Sequence, residues 1–272
     1  MMNGTHNKTI PYRRENFKPF TLENKQMIIY DGPSMIDGVP IICIATGFKT
    51  NSNNIKTGSM IQTWILVRDV DPRDANKLGL DYSICGDCPL KGTPRKASEP
   101  EKLAKDRPCY VSIYQAPLNV WKTYHRGNYD YVVDHDDLVD LGDDRLIRLG
   151  SYGDPAAIPS HIWDSFLTKS VGRTGYTHQH SIPSADTRYD LCMHSADSVA
   201  DARKAWANGL RTFRVIDSLS SMIKDKEILC PASKEAGYRT TCDSCKLCSG
   251  SQIKAKSIAI VAHGNGAKYA YA

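Results

Sequence analysis

The hydrophobic positions of this chain fall first into short β-like runs and later into an alternation of β and helical patterns. Residues 27–30 (MIIY) are a brief apolar run, Asp31-Gly32-Pro33 marks a turn, and 39–44 (VPIICI) is again β-rich. The polar stretch 51–58 (NSNNIKTG) reads as a loop, and 60–67 (MIQTWILV) as a buried strand. The residues before them lack periodicity and read as an extended arm.

Past residue 84 the rhythm changes. Pro117 opens a predicted helix over 117–124, 145–149 reads as a strand, and 159–169 as a helix with Ile162, Trp163 and Phe166 on one side. Residues 174–177 and 190–193 predict strands. The helix predicted over 197–207 carries Val199, Ala202, Ala205 and Trp206 as its apolar stripe. Ser195 or Asp197 would cap it, and Asn208-Gly209 would stop it. Residues 211–216 and 257–262 predict the last strands. Strands alternating with helices of about three turns are the pattern of βαβ units.

The expected fold class is therefore α/β: a partial or complete parallel β/α barrel, a small N-terminal β-rich segment and a C-terminal cysteine-rich cluster-binding loop. The expected division is 1–83 for the arm and β-rich segment and 84–272 for the barrel-like part. Composition adds little to this. The chain has 272 residues, 41% hydrophobic and 24% charged, within the ordinary globular range. No run approaches the roughly 20 apolar residues of a membrane helix, and the start of the chain is polar. The expectation is a soluble, cytoplasmic protein without a membrane partner. The net charge of +5 permits a phosphate-bearing partner without selecting one.

The nine cysteines change the picture. An odd number in a long chain without an export signal argues against a disulfide framework and for metal-bound thiolates. Cys242, Cys245 and Cys248 are each separated by two residues, and Cys230-Pro231 stands upstream. Ferredoxin-type iron–sulfur sites use the same C-x2-C-x2-C spacing with a remote cysteine before proline. Structural zinc is the alternative, although it more often uses two separate C-x2-C pairs.

Cys85 and Cys88 form another C-x2-C pair, with Cys109 further on. Three cysteines fit an open site with one coordination position free. They also fit a zinc knuckle completed by a histidine such as His125, or a Cys85/Cys88 pair beside a core thiol at Cys109. The two groups sharing one centre is a further reading. Cys43 and Cys192 lie in apolar β-like runs and read as core residues.

In α/β sheets and barrels, chemistry gathers where strands end. Three such ends are polar: Gly150-Ser151-Tyr152-Gly153-Asp154-Pro155, Tyr176-Thr177-His178-Gln179-His180, and His194-Ser195-Ala196-Asp197. Gly150 and Gly153 allow a ligand close to the backbone, and Asp154 offers a carboxylate. Capped turns explain the first and third ends equally well. The 54–58 segment (NIKTG) lacks the full phosphate-loop pattern and reads as a solvated hairpin turn.

Cysteines after an early strand, a strand ending in Gly153-Asp154-Pro155, and later βα units resemble the radical S-adenosylmethionine enzymes. The resemblance implies that Cys85, Cys88 and Cys109 hold a [4Fe–4S] cluster and that the Gly153-Asp154-Pro155 end, with Gly150, lies against S-adenosylmethionine. It also implies that Cys230, Cys242, Cys245 and Cys248 hold an auxiliary cluster. Together with the polar strand ends read above as a ligand pocket, the expected cofactor-side residues are Gly150, Gly153, Asp154, Tyr176, His178 and Gln179. The order of motifs over roughly residues 50 to 265 also resembles an uncharacterised bacteriophage family, which implies a viral protein acting in the host cytoplasm. Three functions follow as expectations: a radical enzyme acting on a nucleotide or nucleic acid, a non-catalytic cluster- or zinc-stabilised module that binds nucleic acid or a host protein, and a metal-dependent hydrolase or transferase using His178, His180 or His194.

Overall fold

The structure, a computed structural model, describes residues 26–49, 56–132 and 134–270. The N-terminal arm and residues 51–55 lie outside the described residues. The chain is mixed α/β, with strands in two sheets.

The first sheet contains β1 (Gln26–Pro33), β2 (Pro40–Thr46), β3 (Ile61–Val67), β4 (Asp130–Tyr131), β5 (Leu146–Tyr152) and β6 (Gly172–Thr174), in the order β4-β1-β2-β3-β5-β6. β1–β2 and β2–β3 pair antiparallel, and β1–β4, β3–β5 and β5–β6 pair parallel. The second sheet is wholly parallel: β7 (Tyr176–Thr177), β8 (Met193–Ser195), β9 (Thr212–Ile216), β10 (Glu227–Leu229) and β11 (Ser257–Val261), in the order β10-β11-β9-β8-β7.

Only Gly175 separates β6 from β7, so one stretch of chain supplies an edge to each sheet. A β-carbon at Gly175 would lie 2.8 Å from the Cys192 sulfur, so glycine suits this close passage. The sheets end at β4 and β10 and do not close into a complete barrel among the described residues.

Central β2 and β3 are buried along almost their whole length, as strands covered on both faces require. Ile41, Ile44, Ile65, Leu66, Ile147, Leu149, Trp163 and Phe166 lie in the larger core, and Cys43 and Cys192 join it as expected. α3 (Ala116–His125), α5 (Ser160–Leu167) and α6 (Val199–Ala207) match the predicted helices closely, with α4 (His135–Leu141) between the first two. The α6 cap, however, is Ser198, whose side chain accepts from the Asp201 amide. Ser195 instead ends β8, and Asp197 lies beyond the cap. The strand predicted over 190–193 lies at Met193–Ser195, because 188–192 is taken up in a turn ending in the Cys192 amide bond to the Arg188 carbonyl.

Two helices outside the predicted set bracket the site. α1 (Pro72–Leu78) is capped by the Asp71 carboxylate, with Pro72 in its first turn. α2 (Tyr82–Cys85) is a single turn that delivers Cys85.

Candidate metal centres in one cavity

Alternation along a strand sends successive side chains to opposite faces. On β5, Ile147 and Leu149 enter the core while Arg148 and Gly150 face a cavity of about 1330 Å³. Phe213 and Val215 on β9, and Ile258 and Ile260 on β11, line the same cavity. Cys85, Cys88, Cys109, Cys230, Cys242, Cys245 and Cys248 all line it too. Two groups far apart in sequence therefore share one space.

The Cys85–Cys88 turn is held from behind. Gly86 has φ +48°, and the Cys88 amide donates to the Cys85 carbonyl over 3.0 Å. Gln179 donates to the Cys85 carbonyl over 2.8 Å and accepts from the Asp87 amide over 3.1 Å. Cys109 arrives by a detour: Thr93 and Lys105 exchange backbone hydrogen bonds, which closes off the intervening loop, and the Cys109 amide donates to the Leu90 carbonyl. Asn76, buried behind the group, donates to Asp81 and the Lys91 carbonyl and accepts from the Ala104 amide. Burial pushes the Asp81 carboxyl up to about 6.

The C-terminal group is seated on other elements. α7 (Cys242–Cys245) is one turn, and Lys246 beyond it takes φ +53°. The Cys242 amide donates to the Lys56 carbonyl, the Gly175 amide to the Cys248 carbonyl, and Arg211 to the Leu247 carbonyl. Asp243 accepts from the Ser59 amide and hydroxyl. At Gly58 (φ +63°) a β-carbon would lie 2.1 Å from Asp243, so the close seating requires glycine there. The described part of the 54–58 segment is thus a docking seat for the cysteine loop rather than a solvated turn.

Burial pushes the Cys85 and Cys109 thiols up, and the Cys248 thiol up to about 12. Ionising them requires a nearby cation or metal. Arg148 and Arg211 are buried beside them, and neither joins an ion pair among the described residues. Arg148 donates to the Tyr110 hydroxyl over 2.7 Å and lies 5.5 Å from the centre of the Tyr176 ring. Tyr176 is in hydrogen-bond reach of the Cys248 sulfur.

The expected cofactor-side residues separate into two roles. Gly150, Gly153, Asp154, Tyr176 and His178 line the cavity, whereas Gln179 is buried in its wall. Asp154 accepts from the Ala156 amide (3.0 Å), the His178 amide (2.8 Å) and Gln179 (2.9 Å). His178 Nδ1 lies 3.0 Å from Asp197, and the ring is within hydrogen-bond reach of the Cys88 sulfur. Burial opposes protonation of His178, but the Cys88 sulfur and Asp197 outweigh it and raise its pKa. His125 is elsewhere, packed on Trp121 with Nε2 2.9 Å from the Arg68 carbonyl, and does not complete the Cys85 group.

No family model matches this sequence, and no curated protein or solved structure is significantly similar to it. The chemistry must therefore be argued from the donor set. Four thiolates around one zinc, at about 2.3 Å each, stand about 3.8 Å apart. Among the described residues no three cysteine sulfurs lie within 4.8 Å of one another.

His180, His194 and Asp201 do bring donor atoms within 4.8 Å. Their geometry opposes a shared ion, because the two imidazoles stack at 3.5 Å and 5° and their in-plane lone pairs run parallel. Both nitrogens of His180 are also engaged, with the Tyr189 hydroxyl and the Ser195 carbonyl. The stack joins the ends of β7 and β8 beside the cavity.

Proposed function

We propose that this chain is an iron–sulfur protein, a radical S-adenosylmethionine-like enzyme with an open centre at Cys85, Cys88 and Cys109. A second, closed centre would lie at Cys230, Cys242, Cys245 and Cys248. The observation that carries the reading is the pair of buried arginines, Arg148 and Arg211, beside cysteine sulfurs and without carboxylate partners among the described residues. A buried cation is costly unless an anion faces it, and thiolates at a cluster supply that anion where neutral thiols do not.

A partial β/α barrel is the architecture this reading uses, and β5, β6, β7, β8, β9 and β11 each place residues in the cavity wall. When bound, a cluster with an open position supplies one-electron chemistry to S-adenosylmethionine held there. The chain's own residues do the positioning. Gly150, Gly153 and Tyr176 form the wall against which that ligand would lie. Asp154 and Gln179 hold the Cys85–Cys88 turn at the strand ends, and His178 presents a polar edge beside Cys88. Tyr110, Tyr238 and His263 at the cavity, with Lys234 and Lys246, offer stacking surfaces and cations for a nucleotide or a single-stranded nucleic acid.

A second reading, a zinc-stabilised binding module, has one observation in its favour. His178 is oriented by Asp197 as zinc-bound histidines are by their carboxylates, and it would be the fourth ligand beside Cys88.

Anaerobic purification, iron and sulfide assay and a visible spectrum separate the two. Broad thiolate-to-iron absorption with matching iron and sulfide supports the cluster, and a colourless protein holding only zinc overturns it. Release of 5′-deoxyadenosine under reductant then separates an enzyme from a binder.

A further inference from the structure

We infer that Arg148, acting through Tyr110, couples the two cysteine groups. Charge assembled at the C-terminal cysteines fixes the guanidinium, and the guanidinium fixes the segment that carries Cys109. This rests on the reading that both groups hold iron–sulfur centres.

The connection is short and built from named contacts. Arg148 projects from the middle of β5 into the cavity, beside Cys242 and Cys248 and against the Tyr176 ring. Its Nη2 donates to the hydroxyl of Tyr110, the residue that follows Cys109. Tyr110 is 46% exposed and its ring meets His263 at 5.2 Å, so the Arg148 bond is its main buried anchor.

The electrostatics give the link a direction. Neutral thiols leave the buried guanidinium without a counter-charge, and metal-bound thiolates provide it. Filling the C-terminal centre therefore favours the arrangement in which Arg148 holds Tyr110 and Cys109 in place. Linkage makes the effect mutual: a centre at Cys85, Cys88 and Cys109 favours the C-terminal one by the same factor.

The test uses the whole chain, reconstituted anaerobically with ferrous iron and sulfide. Its readouts are iron retained against a chelator and the midpoint potential of the C-terminal centre. Tyr110→Phe should lower iron retention at the three-cysteine site several-fold and leave the potential unchanged. Arg148→Met should lower retention and also shift the potential negative, because a nearby cation eases the addition of an electron. Arg148→Lys should restore the potential but not the retention. In a Cys242→Ser background the effect of Tyr110→Phe should disappear, which a structural role confined to the Cys109 loop would not produce.

Wild-type retention in folded Tyr110→Phe, or an undiminished effect in the Cys242→Ser background, overturns the coupling alone. A wild-type chain that takes up no iron overturns both the coupling and the reading beneath it.

Discussion

Gln179 donates to the Asp154 carboxylate over 2.9 Å and, from the same nitrogen, to the Cys85 carbonyl over 2.8 Å. One buried carboxamide thus ties the end of β5, the end of β7 and the first cysteine turn. Its oxygen accepts from the Asp87 amide, so both ends of the group are used. Gln179→Leu removes every one of these bonds. The Cys85 carbonyl keeps the Cys88 amide and Asp154 keeps the Ala156 and His178 amides, so the loss is about 0.5–1.5 kcal/mol for each bond removed. Urea denaturation should show that order of destabilisation, and anaerobic iron retention at Cys85 and Cys88 should fall with it. Unchanged values for both would exclude the tether.

Gly86 makes the same joint from the other side. Its φ of +48° is unfavourable for a side chain, and a β-carbon there would lie 2.0 Å from Gln179 Oε1. Gly86→Ala should cost about 1–3 kcal/mol from backbone strain together with displacement of Gln179. Gly209→Ala is the control: its φ is +74° with nothing within 4 Å of the added carbon, so it carries strain without a clash. Thermal unfolding of the pair should place Gly86→Ala clearly lower.

Arg214 and Glu227 form a buried pair at 2.7 Å, and Glu227 also accepts from the Ile223 amide. Removing one partner strands a buried charge. Arg214→Met should destabilise by about 3–5 kcal/mol, and Arg214→Met with Glu227→Leu should recover much of that loss. A double-mutant cycle in urea measures the difference, and additive losses would contradict the pairing.

The stacked histidines predict a pH dependence. Burial, and then the neighbouring His194 imidazole, hold His180 below the ordinary histidine value of 6.5. Tyr189, Asp201 and His178 are the other titratable groups around it. The unfolded chain takes up this proton as pH falls through about 6.5, whereas the folded chain resists it until a lower pH. The stability contribution is therefore complete above 6.5 and declines below it, toward the folded value. His178 and Asp81, whose pKa values are raised in the folded chain, pull the slope the opposite way, so the His180 contribution is read as a difference. Between about pH 7.5 and about pH 5.5 the urea midpoint of the wild type should fall relative to that of His180→Phe.

Much of the framework was legible because it depends on local pattern. The strand at 61–67, the helix after Pro117 and the helix that stops at Asn208 follow from periodicity, proline and glycine within a few residues of each element. Helix α1 carried a readable signal in Asp71-Pro72, a cap followed by proline, but its seven residues are too few for a clear apolar stripe. The roles of Asn76 and Gln179 had no local signal. An amide reads as polar surface until the chain folds over it, and here both are buried with their hydrogen bonds satisfied.

The sequence by itself determined which residues can ligate and in what local spacing, because C-x2-C geometry depends on a few neighbouring torsions. It also determined the order of the longer strands and of the helices after Pro117, Pro159 and Asp197, which follows from short-range periodicity. Only the tertiary structure decided that both cysteine groups open into one cavity, that the 92–108 loop folds back to bring Cys109 near Cys88, and that Arg148 stands buried beside the C-terminal group and bonds to Tyr110. Those facts depend on pairings between residues tens of positions apart. Such pairings are set by which surfaces the whole chain can bury together, and no local pattern encodes that choice.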